Sequence, residues 1–531
     1  MSAGAYTAAT TDPDGNETKY NYYLNSGRLG SVTYPNGQIV TYLYNADGSL
    51  RTLGSYDTSI NYSYSSGYLS SILTDTESYS FTYDAFGNKL ENKVGNSLLS
   101  KYNYNSGNGS LSSIAYGNGF AKSYSYTLTG ELMNEYENGS MVSYYRYASD
   151  GSLQLAKDYV TGITSKYSYD SVGRIVQVSN YKESTNSNNV TDNTSVSSVQ
   201  YGYDLMNNVT KVVSKIGDVT TTQVYVYECT ESGKEQKDGL LSKYTIDNSK
   251  NVTYTYDTIN RLKESRLDTE NEVIRSYVYK DSARTDGNGI RLKTTLLANE
   301  TIDGRVYSYL YDSVGNITHI YYEEFGDKYL SSRYTYDKKN QLIREDDINK
   351  NCTCAYTYDE SGNILSSTIY PLTFEDEITS SAYVTIPYTY DTTNGDRLTS
   401  YSGSTITYDT IGNPVSYLGY TMEWNGRKLV RAYNDSTDIR YTYDKNGLRS
   451  SKTVNGVTTK YTYVDGNLYC EDLGDAQLYY YYDGYGHLTS VKQISSGVTT
   501  VYYVACDSRG NVESMYDSYR SINILALHVM I

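Results

Sequence analysis

Apolar and polar positions alternate along this chain in short runs of about five to seven residues, each closed by a cluster of turn formers. Ser143-Tyr144-Tyr145-Arg146-Tyr147 is one such run and Tyr356-Thr357-Tyr358 the heart of another. A period of two places residues i and i+2 on the same face of a strand, so both rings of a Tyr-x-Tyr pair share a face and can stack on rings of the neighbouring strand. Thr and Ser at the intervening positions suit a wet opposite face. Two kinds of turn separate the runs. One is Asn-Gly, at Asn36-Gly37, Asn118-Gly119, Asn138-Gly139 and Asn455-Gly456, which predicts a two-residue type I′ reversal. The other is Asp/Asn-x-x-Gly, in which the carboxylate or amide accepts backbone N–H groups and Gly supplies the left-handed residue that closes the turn. Together they predict a β-hairpin unit of roughly 21 residues.

The unit is repeated along almost the whole chain, and repeats of this length point to an array rather than to a set of globular domains. The Tyr-Asp signature ends at Asp84, Asp170, Asp204, Asp257, Asp312, Asp337, Asp359, Asp391, Asp409, Asp444 and Asp483. Its structural positions are best seen in Tyr83, Asp84 and Gly87; Tyr169, Asp170 and Gly173; Tyr311, Asp312 and Gly315; Tyr358, Asp359 and Gly362; and Tyr443, Asp444 and Gly447. Between residues 42 and 167 the Tyr-x-Tyr pairs start 19 to 22 residues apart. The middle is less regular, with surface loops expected at 181–197, 231–239 and 281–289. No linker interrupts the series, so residues 1–517 are expected to form one repeat array. The apolar, non-repeat stretch 518–531 is expected to be a truncated or frame-shifted end.

Composition sharpens this picture. The chain has 68 Tyr against 5 Phe and 1 Trp, so most of its aromatic surface carries a hydroxyl that needs a partner. That favours a wall over a thick oily core. The net charge of -16, with no long basic block, excludes nucleic acid as a ligand and is read as solubility. The acidic triplets Glu345-Asp346-Asp347 and Glu375-Asp376-Glu377 are expected in solvated loops. Five cysteines in 531 residues make no disulfide framework. No run reaches the ~20 apolar residues that span a bilayer, and the first residues contain no visible signal peptide.

Candidate chemistry is sparse. His319 and His487 occupy strand and repeat-turn positions, and three histidines in all support no acid–base or metal arrangement. Cys352-Thr353-Cys354 places two thiols on one strand face, near the outer limit for a disulfide, with no further zinc ligands suitably spaced. Asp12, Asp14 and Asn16 begin like a calcium loop, but Glu17 and Tyr23 stand where Gly and Glu are required. The signature aspartates are coupled to Gly three residues on, which turn chemistry explains. No catalytic residue, metal or cofactor is expected.

Tyr-x-Tyr-Asp-x-x-Gly-Asn/Arg-Leu/Ile at this period closely resembles the YD repeat of the RHS proteins, found also in the shells of insecticidal toxin complexes and in teneurins. The resemblance covers roughly residues 6–517. Its strongest portion is 406–512, where Trp424-Asn425-Gly426-Arg427 and Tyr441-Thr442-Tyr443-Asp444 look like the units before the RHS-associated core. It implies an all-β fold in which tandem hairpins form a long antiparallel sheet that spirals into a hollow shell, complete or incomplete. Twisted strands in such number do not stay flat, and curling reduces exposed edges. In the family the shell encloses a variable C-terminal toxin, released by self-cleavage beside an Asp-Pro core motif. The only Asp-Pro here is Asp12-Pro13, in a repeat turn at the other end, so core, protease aspartates and toxin are not carried over. The resemblance thus implies a structural, non-enzymatic shell, secreted or at the cell surface, whose partner is an encapsulated toxin polypeptide absent from this chain. A surface adhesin holding glycans or a partner protein on Tyr-rich faces is the alternative. A choline- or glucan-binding solenoid fits less well, because those lean on Trp.

Overall fold

The computed structural model describes residues 6–516, except 57, 183–194, 228, 232–233, 237–238, 248–249, 268–272, 303, 325, 393–395 and 484. Among these there is no helix, and 48 strands follow one another along the chain. Each strand pairs antiparallel with its neighbour in sequence, so Ser140–Tyr147 lies between Leu132–Glu137 and Leu153–Asp158. The ladder makes a 34-stranded sheet that ends at Ser404–Thr405 and a 12-stranded sheet that begins at Thr407–Tyr408. Ile406, buried between them, marks the break. Cys229–Glu231 and Lys234–Gln236 form a separate hairpin, so the loop expected at 231–239 contains a strand. Neither sheet closes on itself: among the described residues Ala9–Thr11 pairs only with Glu17–Tyr22, and Val512–Tyr516 only with Val498–Cys506.

Other local expectations are corrected. Asp281 to Thr285 are not loop: they extend the strand Val273–Thr285, which pairs with Arg291–Ile302 through three register shifts, and the turn falls at Asp286. The bulges let a hairpin of charged residues outgrow the unit. Of the Asn-Gly turns at Asn36, Asn118, Asn138 and Asn455, Asn138-Gly139 and Asn455-Gly456 have both φ values positive, the type I′ form. At Asn36-Gly37 and Asn118-Gly119 only Gly is left-handed, and Gly37 N–H donates to Tyr34 O at 2.9 Å. Pro35 fixes φ before Asn36 and favours a type I turn closed by a bulge glycine. Residues 183–194, within the expected 181–197 loop, and the 518–531 tail lie outside the described residues.

The sheet winds past itself. Every hairpin has a shoulder end, after Tyr-x-Tyr, and an opposite end, and the shoulder end of later units meets the opposite end of earlier ones. Lys280 binds Asp14, Asn36 donates to Asn340, Thr76 to Asp396, Asn118 to Asp409, and Lys428 to Glu137. The residue offset across this seam is 266 at Asp14–Lys280, rises to 320 at Thr76–Asp396 and then shrinks to 208 at Glu300–Ser508. At ~4.8 Å per strand, the widest of these offsets corresponds to a perimeter of roughly 120 Å and the last to roughly 95 Å.

The later turn is therefore the inner one. Its last strands nest on the earlier turn: Tyr503 and Ala505 pack with Tyr244, Val252 and Tyr254, while Tyr502, Val504 and Cys506 on the opposite face pack with Leu478, Tyr480 and Met515. Tyr254 belongs to the signature face, so that face is concave where the inner turn lies against it.

Candidate functional site: the repeat shoulder and the seam

The shoulder is built the same way at most signatures, Asp391, whose N–H reaches Arg397 O, being a longer one. Asp84 Oδ1 accepts the N–H groups of Phe86 and Asn88, both at 2.9 Å, and Oδ2 accepts the Asn88 amide at 2.9 Å. Gly87 N–H donates to Asp84 O, and Asp84 N–H to Asn88 O. Asp170 repeats the arrangement with Val172 and Arg174, whose Nε donates to Oδ2 at 2.7 Å. Asp312 and Asp359 bind Asn316 and Asn363 likewise, and Asp444 accepts from Asn446 and Leu448. Gly87, Gly173, Gly315, Gly362 and Gly447 have φ between 83° and 94°. Where the unit has Asn instead, at Asn207, Asn260 and Asn340, φ is still positive, a conformation Asn tolerates. The Asn88 amide holds the Asp84 carboxyl below its usual range, and the Arg174 N–H does so for Asp170.

In many units the second Tyr of the signature has a definite partner. Tyr104 donates its hydroxyl to Lys89 O, Tyr126 to Leu111 O, Tyr147 to Leu132 O, Tyr169 to Leu153 O and Tyr203 to Ile175 O, at 2.7–3.0 Å. Each accepting residue is paired across its own hairpin with the preceding signature Tyr, as Leu153 is with Tyr147 and Ile175 with Tyr169. An unbroken stitch thus runs from Tyr83, which pairs with Lys89, to Tyr203. Tyr358 and Tyr443 continue it onto Leu342 O and Leu429 O, and Trp424 uses its indole N–H on Pro414 O at 2.7 Å. Burial raises the pKa of Tyr169, Tyr311, Tyr358 and Tyr443.

The seam is where shoulders acquire distinct chemistry. Asn118 donates to Asp409 Oδ2 and Gly426 O, Ile411, at the tip of that shoulder, is only 2% exposed beside Gly117, and the Phe120 ring lies against Gly426. Lys445 N–H donates to Asp158 Oδ2 at 2.9 Å, and burial, with Asp158 adding to it, raises the Asp444 carboxyl. Burial opposes the Lys122 ammonium, yet Glu135 at 2.7 Å and Glu137 hold its pKa above the ordinary lysine value. Glu137 also takes Lys428 of the other turn at 3.0 Å. Glu135, Glu137, Lys428, Asp444 and Lys445 border a cavity of about 200 Å³. The ion pairs of Lys122 and Lys428 with Glu135 and Glu137 make its Glu side an ionic joint.

The candidates weighed for chemistry are scattered. His319 lies in the strand Ile317–Glu324 against Tyr321, and burial, then Arg333, lowers its pKa. His487 Nδ1 is 3.6 Å from Asp483, whose other neighbour is the Tyr254 hydroxyl at 2.9 Å. Cys352 and Cys354 Sγ are 3.8 Å apart and unbonded, and burial pushes Cys354 up to about 11. Asp12 is occupied by Asn16, and Asp14 by Lys280. Among the described residues no three His, Cys, Asp or Glu side chains are placed to hold a metal ion.

Glu345-Asp346-Asp347 corrects the sequence reading: it is strand, not solvated loop, and all three are buried. Asp346 is held by Arg333 and Arg344 at 2.8 Å each and Glu345 by Lys350. The arginines also bind carbonyls of Glu375 and Asp376, pinning that acidic loop. Buried carboxylates need such partners, and Arg333 and Arg344 were the available sign. The nested strands were also missed, although the unbroken Tyr479-Tyr480-Tyr481-Tyr482 departs from period two, the mark of a strand covered on both faces.

A family model described as Teneurin YD-shell matches residues 305–523. The tRNA nuclease WapA of Bacillus subtilis is 32% identical over 136 residues, 25% of this chain and 5% of that protein. Teneurin-4 of Homo sapiens is 26% identical over 329 residues, 58% of this chain and 10% of that protein. Among solved structures, a chain of the TcdB2-TccC3-Cdc42 crystal structure superposes with a TM-score of 0.72 at 15% identity, covering 96% of this chain and 30% of that one. The chain thus spans a tenth or less of the curated relatives it matches.

Proposed function

We propose that this chain, an RHS/YD-repeat shell protein, forms part of a wall enclosing a polypeptide cargo and has no catalytic role of its own. The observation that carries this reading is the seam: pairs such as Asn118–Asp409 and Lys428–Glu137 join one turn of sheet to the next, so that the sheet bounds a space. The stitched shoulders support it as well. Tyr hydroxyls donated to the main chain are not free as hydrogen-bonding hands for glycans, which weighs against an adhesin.

Residues 1–517 act as a single repeat wall, with the signature Tyr, Asp and Gly as building positions. The cargo is a toxin polypeptide outside this chain, and the setting is secretion or the cell surface. Among the described residues no helix is long and apolar enough to cross a membrane. Electron microscopy of the purified chain tests the reading: a curved wall around an empty interior is expected, and a straight compact rod overturns it.

A further inference from the structure

The molecule makes one turn-to-turn seam internally and leaves both halves of a second seam uncovered. Inside, the shoulder tip Ile411 is buried against Gly117 at the opposite end of an earlier hairpin, and the Phe120 ring of that hairpin lies against Gly426 of the later turn. A Cβ at Gly117 would overlap Leu98 O and lie 3.1 Å from Ile411 Cγ2, and one at Gly426 would lie 2.8 Å from the Phe120 ring, so both glycines permit close approach. Asn118 ties the joint by donating to Asp409 and Gly426 O.

The shoulders of the first turn carry the same kind of tip with nothing over it. Leu24, Phe86, Leu128, Val172, Leu205 and Ile259 are 53% to 109% exposed. All sit in the turn that follows a Tyr-x-Tyr pair, so they line one rim. Phe86, Leu128 and Val172 recur on alternate shoulders, about four strands or ~19 Å apart. The opposite rim of the inner turn exposes Leu418, Val457 and Val498 at 50% to 69%, each in or beside a glycine turn. Single exposed apolar residues are ordinary on a surface; a periodic row of them on a rim is the mark of an interaction site.

We propose that these two rims are complementary and that a second copy of this chain occupies the shoulder rim, seating its Leu418–Val457–Val498 rim on the Phe86–Leu128–Leu205 tips as Ile411 seats on Gly117 and Gly426 on Phe120. The occupant is identified by continuity with the internal seam: shoulder against opposite end is the contact this sheet already makes, and hairpin spacing is the same on both rims. Such a contact is head-to-tail, so it does not close at a dimer. The net charge of -16 on each copy opposes stacking at low ionic strength, and salt screens that repulsion. The inference does not depend on what the interior holds.

Sedimentation of the whole chain and two rim variants tests it. Phe86→Asp/Leu128→Asp/Leu205→Asp changes only exposed shoulder tips, and Leu418→Asp/Val457→Asp/Val498→Asp only the other rim. The unmodified chain is expected to grow in mean mass with concentration beyond twice the monomer, more so as salt is raised. Each variant alone is expected to stay monomeric, and their equimolar mixture to reach the mass of one heterodimer and stop, which also shows that the surviving rims are folded. A chain that remains monomeric at every concentration and salt, a variant that still self-associates, or a mixture that stays monomeric overturns the proposal. Because the variants leave the wall intact, microscopy of either one still reports on the enclosure separately.

Discussion

The phenol of Tyr169 donates a 2.8 Å hydrogen bond to the main-chain carbonyl of Leu153, sixteen residues earlier, and so ties one hairpin to the one before it. Leu153 is itself the cross-strand partner of Tyr147, whose hydroxyl reaches Leu132 O. Tyr169→Phe removes the donor and keeps the ring. A net loss of about 1 kcal/mol is expected, read as a lower denaturation midpoint with an unchanged slope. Trp424→Phe is expected to act alike, since its N–H does the same work on Pro414 O.

Gly173 sits at φ 86° with open space around its missing Cβ, so strain rather than crowding decides the effect of adding a methyl. Gly173→Ala is expected to cost about 1–2 kcal/mol. Gly287, with φ outside the left-handed region and also in open space, is the control, and Gly287→Ala is expected to be neutral or slightly stabilising. Thermal or chemical melts of the pair measure the difference.

Ile411→Ala removes the buried side chain that packs beside Gly117 across the seam. For a side chain 2% exposed the expected loss is about 2–5 kcal/mol. Because the contact joins two turns, the change is expected to speed hydrogen exchange in Leu111–Tyr116 and Ala121–Tyr126 as well as around residue 411 itself.

The wall is expected to fail in alkali. Burial pushes Tyr124 and Tyr277 up to about 12, and it raises Tyr147, Tyr169 and Tyr358 as well. A phenol whose folded pKa exceeds its unfolded value near 10 favours the folded chain in its protonated form. That stabilisation is complete below about pH 10 and is lost as pH rises towards 12. A tyrosinate absorbance titration should therefore show the buried group ionising late, together with loss of the strand signal in circular dichroism. A single transition at pH 10 with the fold intact would contradict it.

How far the chain could be read from its sequence depended on the range of the interactions involved. Asp84 and Gly87, or Asp359 and Gly362, act within five residues, so spacing alone announces their turn. The target of the Tyr169 hydroxyl is set by the strand register of two successive hairpins, and no single unit contains it. Seam partners such as Asp158 and Lys445 are 287 residues apart and carry no common motif. Arg344 stands two residues from Asp346 on the same strand face and was legible as its partner, whereas Arg333 is on the neighbouring strand, opposite Asp346 in register, and no local spacing announces it. The Tyr479 to Tyr482 run was legible in principle, since four successive rings cannot all face one side of a strand.

The drift of the seam offset, from 320 residues at Thr76 to 208 at Glu300, works like a vernier. Identical repeats wound at constant pitch could slip by one unit and regain equivalent contacts, leaving a family of near-degenerate windings. Here one repeat of slippage would set Asp158 against a shoulder other than that of Lys445, and every later pair would be mismatched by a different amount. A sequence that looks monotonous unit by unit thereby specifies a single winding.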